Sequence, residues 1–161
     1  MTAIPPQAPV VPGRLEQMST RIAFFIAGFG IAAWAPLVPY AKARAQLNEG
    51  TLGLLLLCLG VGSIIAMPMA GALASRFGCR RVLSAGTLLL CVALPMLATV
   101  SSIPLLMAGL FLFGAGLGTV DSTVNLQAVI VERASGKTMM SGFHGLFSLG
   151  GIVGAAGVSA L

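Results

Sequence analysis

Leu52–Ala74 reads LGLLLLCLGVGSIIAMPMAGALA, Ser75–Arg81 reads SRFGCRR, and Val82–Val100 reads VLSAGTLLLCVALPMLATV. The first and last of these carry no charge, and each is long enough to cross ~30 Å of hydrocarbon as a helix. Between them sit seven residues with three arginines and one glycine. A soluble helical hairpin needs charges on its outer faces, and these stretches have none. The pattern predicts two membrane spans joined by a short, basic turn.

Outward from this hairpin the pattern repeats. Ile22–Ala41 is uncharged over twenty residues, about 30 Å of helix, and predicts the first span. A fourth span runs from about Pro104 to Val131 with Asp121 as its single charge. A fifth runs from about Thr138 to Leu161 with His144 as its single ionisable group. Residues 1–21 carry Pro5, Pro6, Pro9 and Pro12 with little periodicity, which predicts a flexible tail. The first apolar stretch exceeds the roughly 15 residues of a signal-peptide core, and more membrane follows it, so no cleaved leader is expected. The fold class is all-α: a polytopic membrane protein with spans at about 22–41, 52–74, 82–100, 104–131 and 138–161.

Composition agrees. Of 161 residues, 57% are hydrophobic and 8% charged, where a soluble domain carries about a quarter charged. The net charge of +5 sits between apolar runs rather than along one amphipathic face, so nucleic acid is not the expected partner. Arg14, Arg21, Arg76, Arg80, Arg81, Arg133 and Lys137 fall on one side of the membrane and only Lys42 and Arg44 on the other. The positive-inside rule then predicts a cytoplasmic N-terminus. Cys58, Cys79 and Cys91 are odd in number and lack CxxC spacing, so they read as small apolar fillers. With a single histidine, no metal site or cofactor is expected. No nucleophile, base and acid form a set, so an enzyme is not expected either.

Asp121 is the most informative residue, because a carboxylate inside a span is costly and faces a cavity or a partner. It lies about 16 Å of helix from Glu132, near the bilayer middle, and Asn125 one turn on shares its face. Thr119, Ser122 and Gln127 add polar groups, while Gly109, Gly114, Gly116 and Gly118 thin the helix for close packing. His144 lies about 9 Å into the fifth span and has three readings: it bonds a solute, relays a proton, or fills a structural role. Trp34 precedes Pro36 and Pro39, which predict a bend. Trp34 either stacks on a sugar ring or packs against lipid and neighbours. Tyr40 reads as an interfacial anchor.

The turn carries a family resemblance. Gly71-x-x-x-Ser75-Arg76-x-Gly78-x-Arg80-Arg81 resembles the signature loop of the major facilitator superfamily, in which glycine and three residues precede Asp, Arg or Lys, one residue, Gly, and then basic residues. Physically, Gly78 suits a tight turn and Gly71 a close helix contact. The resemblance implies a twelve-helix fold of which these are the first five helices, and a cytoplasmic latch between the transporter's halves. The bland alternative is that Arg76, Arg80 and Arg81 only fix topology. Ser75 departs from the family's acid, and Glu132 is the candidate to replace it by pairing with Arg76. Within the superfamily, Val120–Asn125, Glu132-Arg133 and His144–Gly150 resemble bacterial inner-membrane members close to fucose-type sugar permeases. The arginine that drug exporters carry before the glycine run is absent; Leu110 and Phe113 stand there, and the fifth span lacks a Gly-Pro pair.

The function expected is transport of a small polar solute, with sugars favoured by resemblance, by alternating access in a secondary transporter. Efflux of drugs or metabolites by the same fold, and a membrane scaffold or receptor subunit, are the alternatives. Expected partners are the lipid bilayer, the solute, protons, and a C-terminal transporter half, without which the fragment is expected to be inactive. The expected location is the bacterial inner membrane.

Overall fold

The structure is a computed structural model that describes residues 13–160. It is all-helical: α1 (Arg14–Ala32), α2 (Val38–Arg44), α3 (Glu49–Phe77), α4 (Cys79–Thr99), α5 (Ile103–Ser135) and α6 (Met140–Ser159), with a 3-10 turn at Ala35–Leu37. α1, the turn and α2 make one spanning unit, Arg14–Arg44. With the other four it gives five helices long and apolar enough to cross a membrane.

Several boundaries differ from the sequence reading. α1 starts at Arg14, so residues 14–21 are helix rather than tail; residues 1–12 lie outside the described residues. Glu16 favours that start, because an acid suits the positive end of a helix, and the buried Thr20 hydroxyl donates to the Glu16 carbonyl at 2.8 Å. The connection between α3 and α4 is one residue, Gly78, rather than seven. Its φ of +85° is strained for any side chain and permitted to glycine. α5 runs four residues past Val131 and ends at Gly136, also at positive φ, +64°. The first span breaks where Pro36 and Pro39 fall, since neither supplies the amide hydrogen a continuous helix requires there.

α5 is the centre. In its apolar stretch 44% of residues are buried, against 17–28% in the other spans, and it packs on α3, α4 and α1, while α6 packs chiefly on α1. Backbones touch at two crossings. A Cβ on Gly114 would strike the Leu59 carbonyl, and one on Gly62 the Phe111 carbonyl. A Cβ on Gly28 would strike the Phe147 carbonyl, and one on Gly150 the Phe25 carbonyl. Phe25-x-x-Gly28 and Phe111-x-x-Gly114 are thus equivalent, as are Leu59-x-x-Gly62 and Phe147-x-x-Gly150. The equivalence extends one turn further: Gly118 meets Ser63, and Gly151 meets Ala32. The α1–α6 pair therefore repeats the geometry of the α5–α3 pair. In lipid, where apolar burial does not drive association, such close small-residue contacts carry helix packing.

Candidate functional site

On α5, Asp121 and Asn125 are both half-buried. The Asn125 amide donates to the Asp121 backbone carbonyl at 2.9 Å and to its Oδ1 at 3.4 Å. One amide thus holds the carboxylate along its own helix. Gly114 and Gly118, which contact α3, lie within about 60° of Asp121 around the helix, while Val120 and Val124 on its other flank are fully buried. Thr123, also buried, returns its hydroxyl to the Thr119 carbonyl at 2.6 Å. The pair forms a polar patch on a tightly packed helix whose preceding two turns, Leu110–Gly118, carry no polar side chain.

His144 and Trp34 are placed elsewhere. The His144 imidazole meets the edge of the Phe24 ring at 5.5 Å, and Phe24 in turn stacks on Phe143 at 5.3 Å. His144 is exposed, belongs to the α1–α6 contact, and makes no hydrogen bond to Asp121 or Asn125. Trp34 leans on Phe113 at 5.8 Å and borders an apolar crevice with Leu55, Leu97 and Leu110, so its contacts are those of a packing residue. Gln127 lies about 120° around α5 from Asp121. It lines a different cleft, of about 540 Å³, with Glu16, Ser19, Thr20 and Arg80. Spacing alone did not reveal that cleft, because its walls come from three separate helices.

At the α3–α4 turn, Ser75 donates its hydroxyl to the Ala72 carbonyl at 2.8 Å, so it stays on its own helix. The Arg76 guanidinium covers the Phe77 ring at 5.2 Å. Arg80 and Arg81 sit in the first turn of α4 and are exposed. Cations at a helix N-terminus oppose the helix dipole by about 0.3–1 kcal/mol each, so helix stability is not what places them there. Gly71 faces open space, with nothing within 4 Å of a Cβ built on it; the close contact expected of it falls instead on the buried row Gly62, Ala66, Ala70 and Ala74.

The expected pairing of Arg76 with Glu132 is not made. The Glu132 carboxylate accepts the amides of Met139 and Met140 at 2.6 and 2.7 Å, satisfying the start of α6. Among the described residues the ion pair formed is Lys42 with Glu49. Topology put Glu132 and the arginines on the same side, but unpaired amides one short turn away hold the carboxylate locally. By sequence Arg44 is only a charge between the first two spans. Its guanidinium donates to the carbonyls of Leu97, Ala98 and Val100 at 2.6–3.2 Å, closing the C-terminal end of α4. Nothing in the local sequence pairs residues so far apart.

The comparisons with known proteins agree with this architecture. The signature of the Major Facilitator Superfamily matches residues 21–161. The chain is 58% identical over 155 residues to an uncharacterized MFS-type transporter of Yersinia pestis, covering 96% of this chain and 40% of that protein. It is 37% identical over 134 residues to an uncharacterized transporter, y4wD, of Sinorhizobium fredii, covering 83% and 36%. It is 33% identical over 144 residues to the membrane protein MosC of Rhizobium meliloti, covering 89% and 35%. The chain thus spans about two fifths of the length of these relatives. No solved structure gives a significant match. Five apolar helices, a glycine-turned basic loop and a family signature over most of the residues converge: the chain belongs to the major facilitator superfamily.

Proposed function

We propose that the chain is part of the N-terminal half of a secondary transporter that carries a small polar solute, sugars foremost, by alternating access across a bacterial inner membrane. The observation that carries this reading is the Asp121–Asn125 pair on the most buried helix. A carboxylate at that depth is expensive unless it serves a pathway, and it offers both a hydrogen-bond acceptor for hydroxyls and a site for a proton. The fucose-type resemblance at Val120–Asn125 and His144–Gly150 favours sugars over drugs. The distribution of arginines favours a cytoplasmic N-terminus, with the α3–α4 turn as a latch toward the other half. Uptake by the complete protein in proteoliposomes tests this, with monosaccharides set against lipophilic cations. Saturable monosaccharide uptake driven by an inward proton gradient is the expected result. Movement of lipophilic cations alone would replace the reading with efflux.

A further inference from the structure

We propose that Glu132 is a positioning residue that ties α6 to α5 and so fixes the register between the helix bearing Asp121 and the helix bearing His144. One residue holds both ends of the connection. Its carbonyl accepts the Gly136 amide at 3.1 Å and the Ser135 hydroxyl at 3.0 Å, closing α5. Its carboxylate accepts the amides of Met139 and Met140, opening α6. The N-cap position of α6 is Met139, whose side chain has no acceptor suited to capping, and no side-chain cap is made there. The negative charge also sits at the positive end of α6.

The geometry gives the joint a purpose beyond local capping. α5 and α6 touch each other little; α6 packs on α1 instead. Without Glu132 the two helices are joined by four residues, Gly136–Met139, one of them a glycine in the left-handed region. A free joint of that kind lets α6 tilt with α1, whereas the clasped one makes α6 follow α5. The meaning of this for solute movement rests on the transport reading above; the clasp itself does not.

The test separates a tether from a cap. Spin labels at positions 130 and 149, both exposed, are introduced with Cys58, Cys79 and Cys91 replaced, and the protein is held in lipid nanodiscs. The native protein gives a narrow distance distribution. Glu132→Ala broadens it and speeds exchange of the Met139 and Met140 amides roughly tenfold or more, the scale of losing charge-assisted hydrogen bonds. Adding Met139→Asp, which caps α6 from within, restores first-turn protection but leaves the distribution broad. Wild-type width in Glu132→Ala, or narrowing in the double variant, overturns the proposal. Glu132→Gln keeps an oxygen without the charge and gives an intermediate width; if the alanine variant does not insert, a wild-type width in the glutamine variant overturns it. No solute is needed, so a failed transport assay leaves these outcomes readable.

Discussion

The α1–α6 and α5–α3 crossings share one backbone geometry and differ in what they carry. In each, an apolar residue three before a glycine offers its carbonyl to a glycine on the facing helix. Ten residues beyond Phe111, α5 has Asp121; ten beyond Phe25, the first span has Ala35, at the start of the 3-10 turn. Four further on, Asn125 is matched by Pro39. The repeat thus holds the helices together while one copy bends and the other keeps a polar pair. Packing and the proposed chemistry fall at different positions of the same pattern, and substitutions should affect them separately.

The largest effects are expected at the crossings. Gly114→Val and Gly28→Val each press a side chain into a facing carbonyl, costing about 3 kcal/mol or more. Both should lose most folded protein in detergent to a similar degree. A severe loss in one and tolerance in the other would break the equivalence of the two pairs.

Smaller effects are expected at the bundle's ends. Arg44→Gln leaves the last carbonyls of α4 without their cation and should cost about 1 kcal/mol, read as a lowered thermal midpoint. Lys42→Gln, at the exposed pair with Glu49, should change stability by less than about 0.5 kcal/mol. Equal losses from the two would remove Arg44 from its clasping role.

No loss of stability is expected at glycines outside the crossings. Gly71→Ala and Gly145→Ala meet nothing within 4 Å, and alanine suits a helix better than glycine by about 1 kcal/mol. These variants should match or slightly exceed the native midpoint. A large loss at Gly71 in this chain would mean that its face is already packed.

The fold was legible because the cost of charge in lipid leaves uncharged stretches of spanning length, and those mark the helices without any tertiary information. The start of α1 was not legible in that way, since Arg14–Arg21 is an ordinary charged helix that apolar counting skips. Of the site, Asp121 and Asn125 could be read as neighbours because one turn separates them. The partners of Glu132 and Arg44 could not: one depends on where α6 begins, the other on the C-terminal ends of α2 and α4 meeting in space. The row Gly62, Ala66, Ala70 and Ala74 and the repeated Phe-x-x-Gly lie at helical spacing, but the helices that they pack against are fixed only in the folded chain.

Asp121→Asn tests most directly whether chemistry and packing are separate. The bond from Asn125 to the backbone carbonyl at position 121 survives this change, so stability should stay within about 0.5 kcal/mol of native. In proteoliposomes of the complete protein, the variant should lose uphill solute accumulation driven by a proton gradient while still exchanging solute down its own gradient. Accumulation at the wild-type level would contradict the account and remove Asp121 from the transport pathway.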